Sequence, residues 1–377
     1  MKVTFPHMGN SWIIIQALFE SLGVEFVVPP FNSKQTLNIG TKLAPESACL
    51  PLKLNLGNYV EAAAQGADTV AITGGSGPCR FGYYGESERQ ILKDAGLNYD
   101  VVILELPEGR LLGLVERIHY LVGKKNSWAS VIRAVYFAYR KSLAMDRIEV
   151  LIHGFRPRAQ NPNEANQLYE EAKRRLVLAM TDEGVQGVVR WLQARIREKQ
   201  AEHPESLAIQ PLKIGLVGEI YTLLEPFTSC DVEKELGNLG TYVDRSIYLS
   251  GWVGQHLFQG LAQGYRPLKP YYHLAKPYLK HFVGGHGIET VGSAVHYARQ
   301  GYDGIIQLLP LGCMPEIVAS SILPRIQEDY NLPIMTLTFD EHTGQGGIQT
   351  RLEAFVDLLE RSRDKKEETN RGGLIRA

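Results

Sequence analysis

Two stretches, Ala63-Ala64-Gln65-Gly66-Ala67-Asp68 and Ala298-Arg299-Gln300-Gly301-Tyr302-Asp303, decide how the chain is read. Both fit Ala-x-Gln-Gly-x-Asp, both follow a segment of helical spacing, and both run into a strand, Thr69–Thr73 or Gly304–Leu309. Each strand opens onto a turn, Gly74-Gly75-Ser76-Gly77-Pro78 or Pro310-Leu311-Gly312. Each turn delivers a cysteine, Cys79 eleven residues after its Asp and Cys313 ten after its own. Chance produces a six-residue match more readily than one that also repeats the element order and the thiol. The chain therefore reads as two related halves.

Outward from the first stretch, Lys2–Pro6, Val24–Pro29 and Val101–Leu106 have strand character, and Ser11–Leu22, Leu52–Gln65 and Glu86–Ala95 have helical spacing. That alternation predicts a parallel, doubly wound sheet. The rhythm returns with strands at Lys213–Val217, Thr241–Ile247 and Ile334–Thr338 and a closing helix at Ile348–Arg361. Between Gly109 and Glu202 strand signals vanish. Helical stripes take over: Leu111, Leu114, Val115, Ile118 and Leu121, then Ile132, Val135, Tyr136 and Tyr139, then Leu168, Ala172 and Leu176, then Val188, Leu192 and Ile196. Pro157 and Pro162 predict a loop over Phe155–Asn163. The expected division is a first α/β domain over 1–108 holding Cys49 and Cys79, and a helical linker or insert over 109–210. A second α/β domain with Cys313 spans 211–361, and a charged, solvated tail covers 362–377.

A length of 377 residues suits two or three domains. Lys+Arg 40 against Asp+Glu 41 leaves no basic excess for nucleic acid. The opening Met-Lys-Val-Thr-Phe-Pro lacks the plan of a signal peptide, and no apolar run nears the roughly 18–20 residues of a membrane span. A soluble, cytoplasmic protein is expected. In that reducing compartment the four cysteines are free thiols, metal ligands or catalysts rather than disulfides.

Parallel sheets bind ligands beyond the carboxyl ends of their strands, where the repeat puts Cys79 and Cys313. Cys49, in Glu46-Ser47-Ala48-Cys49-Leu50-Pro51, precedes a helix, whose N-terminus favours thiolate. Three thiolates meeting in a cleft suit an iron–sulfur cluster with one iron left open. Buried apolar thiols, or zinc held by three Cys and His286 or His342, remain open alternatives. Cys230, in Pro226-Phe227-Thr228-Ser229-Cys230-Asp231, reads as structural rather than as a fourth ligand. Glu46, Arg80, Glu219, Tyr221, His286 and Glu316 are polar candidates for the cleft, and Glu46, Arg80, His286 and Glu316 are the catalytic candidates. Gly284-Gly285-His286-Gly287 stands at the repeat position of Cys49. Tyr83 and Tyr84 read as packing residues, and Asp340 and Glu341 as caps or partners of Arg351. Lys213-Ile214-Gly215-Leu216-Val217-Gly218-Glu219 lacks the full dinucleotide fingerprint, and no Walker A motif is present, so the chain itself should not hydrolyse ATP.

Ser47-Ala48-Cys49-Leu50-Pro51-Leu52-Lys53, Gly77-Pro78-Cys79-Arg80-Phe81-Gly82-Tyr83-Tyr84 and Gly312-Cys313-Met314-Pro315-Glu316 resemble the cysteine motifs of the 2-hydroxyacyl-CoA dehydratase and benzoyl-CoA reductase superfamily. Asp340-Glu341-His342-Thr343-Gly344 and Thr350-Arg351-Leu352-Glu353-Ala354-Phe355-Val356-Asp357 resemble its C-terminal signature. The chain is most similar to the stand-alone, dehydratase-activase-related proteins of that superfamily. The resemblance implies two flavodoxin-like domains with a cluster between them, held by Cys49, Cys79 and Cys313. It implies an electron supplied by a separate ATP-hydrolysing activator with its own iron–sulfur cluster, and a related partner subunit; a homodimer is the general default for such chains. The activity implied is that of a low-potential reductase or dehydratase-like component acting on a small substrate. A non-catalytic electron carrier, or a cluster assembly or sensor protein, is the alternative. A double-cubane 8Fe–9S cluster takes about six thiolates in that superfamily and four are present, so a single 4Fe–4S cluster is the expectation. No feature marks a CoA site.

Overall fold

The computed structural model describes residues 1–75, 78–104, 111–123, 125–256 and 269–374. In chain order, β1 (Val3–Thr4) leads to α1 (Ser11–Leu22), α2 (Lys34–Leu43) and α3 (Leu50–Ala63), then β2 (Thr69–Thr73), α4 (Tyr84–Asp94) and β3 (Asp100–Leu104). Four helices follow: α5 (Leu111–Val122), α6 (Trp128–Phe155), α7 (Pro162–Leu178) and α8 (Asp182–Glu202). Then come β4 (Lys213–Gly218), α9 (Ile220–Leu224), α10 (Pro226–Ser229), α11 (Val232–Asn238), β5 (Tyr242–Arg245), α12 (Leu249–His256) and α13 (Lys269–Ala275). The chain continues with α14 (Gly287–Arg299), β6 (Gly304–Pro310), α15 (Met314–Tyr330), β7 (Ile334–Phe339) and α16 (Gln345–Leu374).

Two wholly parallel sheets result, ordered β1-β2-β3 and β5-β4-β6-β7. The expected strand over Val24–Pro29 shrinks to one bridge, Val3 to Phe26, on the free edge of β1. Proline explains the shortfall: Pro6 lacks a donor and closes β1 after two residues, so little edge remains to pair with. With that bridge counted, both sheets have the same spatial order. The expected strand Val101–Leu106 ends within the described residues at Leu104, and positions 105–106, like Ser76 and Gly77 of the glycine turn, lie outside them.

Helix α3 is enclosed on nearly every side, the polar Lys53, Asn55 and Asn58 included. Leu52, Leu56 and Tyr59 join the core under the first sheet, whereas Leu50 and Leu54 join the core of the second. One helix thus belongs to both halves. The α5–α8 layer is tied in just as firmly. Leu121, Val122, Val131 and Ala134 complete the first core, and α6, α7 and α8 enclose Ile13 of α1 in another.

Three expectations need correction. Ile132 and Tyr136 are 65% and 54% exposed, whereas Tyr139 is buried and Val135 packs against the first core as expected; α6 also buries Val131, Ala134 and Ala138, whose small side chains admit α1. Phe155–Asn163 is not a loop: α6 reaches Phe155, a 3-10 turn covers Arg156–Arg158, and α7 starts at Pro162. At a helix's first position proline's missing N–H costs nothing, so Pro162 begins a helix rather than breaking one. The charged tail is helical too, since α16 runs on to Leu374. No helix among the described residues is long and apolar enough to cross a membrane.

Candidate thiol centre

Cys49, Cys79 and Cys313 share one local geometry. Each is the N-cap of a helical segment: Cys49 of α3, Cys313 of α15, and Cys79 of the 3-10 turn Arg80–Tyr83 that feeds α4. All three have extended backbone, with φ/ψ of −69/156, −69/131 and −74/99 degrees respectively. Pro51 and Pro315 sit in the first turns of α3 and α15, where a pre-set φ starts a helix at no hydrogen-bond cost. His286 is likewise the N-cap of α14. Cys79 and Cys313 follow β2 and β6, at the carboxyl ends where parallel sheets present their ligand sites.

Arg80 brings the three loops together. Its Nη1 donates to the Ser47 carbonyl at 2.9 Å, beside Cys49, and its Nη2 to the Gly312 carbonyl at 2.6 Å, beside Cys313. The Gly284–His286 loop of the second half presses on the Cys79 turn. A Cβ on Gly284, which has φ +86°, would stand 2.6 Å from the Cys79 amide nitrogen. One on Gly285 would lie 3.7 Å from Cys79 Sγ and 3.1 Å from Pro315. The Tyr84 hydroxyl contacts Cys49 Sγ.

The thiols hold their protons tightly. Burial pushes Cys49 up to about 11 and raises Cys79 and Cys313 as well. The nearby Glu219 carboxylate raises all three further, whereas the Arg80 charge works against it at Cys49 and Cys79. Cys49 also senses Cys79, and Cys313 senses Cys49. The expected thiolate-favouring effect of the helix N-termini is outweighed by desolvation. A bound cation reverses that balance, because a coordinating thiol loses its proton outright.

Glu316 is fully buried, its carboxylate accepting from Thr290 Oγ1 at 2.9 Å and Gln307 Nε2 at 2.9 Å, and burial pushes it up to about 8. Glu219 caps α9, accepting from the amides of Tyr221 and Thr222, both at 2.9 Å. Tyr221 donates to the His7 carbonyl at 2.7 Å, so it belongs to the seam between the halves rather than to the thiols. Glu46 is exposed on the turn before Cys49. Cys230, in a left-handed conformation at the end of α10, packs against the second-half core, with Asp231 the charge it senses.

Other expectations shift. Tyr83, expected to pack, is 77% exposed. Glu341 pairs with Lys53 at 2.6 Å instead of Arg351, and Asp340 accepts from the His342 amide at 2.9 Å as a turn cap. Sequence reasoning missed the Tyr84–Cys49 contact and the partners of Arg80, which lie 33 and 232 residues away. It also missed the buried His7–Glu225 pair, 3.0 Å across the seam.

Among the described residues no three His, Cys, Asp or Glu side chains stand close enough to hold a single metal ion. The zinc arrangement with His286 or His342 is therefore not preformed. Thiolates as a donor set suit zinc, copper(I) and iron–sulfur clusters alike, and a cluster spreads its ligands over several irons and so needs a wider spacing than one ion does. Compared with known proteins, the chain matches no protein-family model and no curated protein.

Proposed function

We propose that the chain is an iron–sulfur protein in which Cys49, Cys79 and Cys313 hold one cluster, of the 4Fe–4S type, between two related flavodoxin-like halves. It serves as the low-potential reductase or dehydratase-like component of a two-protein system. A separate ATP-hydrolysing activator supplies the electron, and an open iron meets a small substrate. The observation that carries this reading is the grouping of three N-cap cysteines, from both halves, around the single guanidinium of Arg80.

Duplication of the halves is supported by their common sheet order and by matching helix starts: Cys49 before α3 answers His286 before α14, and Cys79 answers Cys313. Membership of the superfamily rests on the quoted motifs alone. Tyr83, Phe282, Leu311, Met314 and Ile317 flank the centre in sequence and are exposed, the apolar character that suits a docking redox partner. Cluster assembly would deprotonate the buried thiols and release protons.

Anaerobic purification, iron and sulfide quantification and EPR form the test. The wild-type chain should carry about four irons if one cubane is bound. Cys313→Ala should lose most of that iron and Cys230→Ala should retain it. Equal iron in the two variants contradicts the ligand set, and a colourless wild type with stoichiometric zinc removes the cluster. Reduction driven by a cognate activator with ATP then separates a catalytic component from a passive carrier.

A further inference from the structure

We propose that Arg80 is the positioning residue of the thiol centre: its forked guanidinium locks the Cys49 loop of one half to the Cys313 loop of the other. The inference rests on the cluster reading only for its iron readout. Three observations carry it. The two hydrogen bonds, 2.9 Å to the Ser47 carbonyl and 2.6 Å to the Gly312 carbonyl, use separate nitrogens of one planar group, a geometry lysine cannot reproduce. Arg80 directly follows Cys79, so the tie includes the third thiol loop through the backbone. Gly312 leaves space for the fork: it has φ +76°, and a Cβ there would come within 3.1 Å of Arg80 Nη2 and 3.4 Å of the Ser47 carbonyl oxygen.

The consequence is that the three loops are arranged before any iron arrives. Both bonds go to backbone carbonyls, so the fork itself occupies no sulfur. It fixes the spacing from outside the ligand shell, and its charge opposes that of Glu219 at Cys49 and Cys79. Arg80, offered by sequence as a catalytic candidate, acts instead through the loops it holds.

The test uses the full-length chain, first without iron. Amide hydrogen exchange over residues 46–50 and 311–314 should quicken about tenfold in Arg80→Ala, the scale of losing a charge-assisted hydrogen bond. It should quicken equally in Arg80→Lys, which keeps the charge without the fork. Gly312→Ala, which crowds the guanidinium while leaving Arg80 in place, should give the same pattern. Exchange in β4 reports global unfolding and should stay at the wild-type rate in all three. Arg89→Ala removes a comparable fork, from Glu86 and the Val101 carbonyl, away from the thiols, and should leave both segments unchanged. After anaerobic reconstitution with ferric iron, sulfide and excess thiol, which reduces part of the iron, the Arg80 variants should release iron to a chelator about tenfold faster and show a broadened EPR signal in the reduced state. Wild-type exchange in Arg80→Ala, or its restoration by Arg80→Lys, overturns the proposal. Should the wild type take up no iron, the cluster reading fails, and the exchange data alone still decide the role of Arg80.

Discussion

Glu88 shows what burial does to one carboxyl. It lies fully enclosed on α4, accepting from Asn55 Nδ2 at 3.0 Å and the Tyr59 hydroxyl at 3.3 Å, and desolvation pushes it up to about 8. In the unfolded chain the same group titrates at about 4.3. The folded state therefore holds a proton that the unfolded state gives up at lower pH. The stability this confers is complete below pH about 4.3, declines above it, and is gone once the pH passes about 8. The urea midpoint of the wild type should fall across that window, and Glu88→Gln, neutral throughout, should show a shallower fall. Equal slopes would mean that Glu88 is ionised in the fold. Residues of this kind were not legible in the sequence, because Asn55 and Tyr59 mean nothing to Glu88 until α3 lies against α4. The thiols were legible, since a cysteine at a strand end carries its context in the adjacent glycine and proline. What burial would do to their proton affinity depended on distant packing and went the other way.

Among the elements, the Gly284–His286 loop is tightly constrained. A left-handed backbone costs a residue with a side chain about 1–2 kcal/mol, and at Gly284 a methyl group would also meet the Cys79 amide nitrogen at 2.6 Å. Gly284→Ala should therefore lower stability by roughly 2 kcal/mol or more and loosen the Cys79 turn. A shifted denaturant midpoint at constant m-value would show it, and an unchanged midpoint would mean the loop yields at no cost. The glycine run was visible in the sequence, but its contact with a cysteine two hundred residues earlier was not. Apart from Val24–Pro29, which supplies only one bridge, strand positions were read well, because β-rich runs between turn residues need no tertiary knowledge. Helix α2 was passed over: its start at Ser33 uses a Thr36 capping box in place of the more recognisable Glu or Gln. On α6, the expected face was right at Val135 and Tyr139 and wrong at Ile132 and Tyr136, since close approach to α1 selected the alanines beside them.

At the scale of the molecule, the expected division into separate α/β domains meets a shared interior. Leu50 and Leu54 pack with Leu216, Ile306 and Phe339 of the second half, Lys53 pairs with Glu341, and His7 pairs with Glu225. A continuous core crossed by a salt bridge and a buried hydrogen bond couples the stabilities of its two sides. Thermal unfolding followed by circular dichroism and by tryptophan fluorescence should then give one coincident transition. Two separated transitions would show that the halves stand alone. The alternation of strands and helices announced two sheets; only the packed chain reveals that one helix serves both.

That helix has a history written into it during translation. Leu50 and Leu54 leave the ribosome about three hundred residues ahead of Phe355 and Leu359, the last members of their core. At typical elongation rates of about 5–20 residues per second, the nascent polypeptide presents an uncovered leucine face for roughly 15–60 s. A holding chaperone has its natural purchase there, on the first turns of the helix that Cys49 caps.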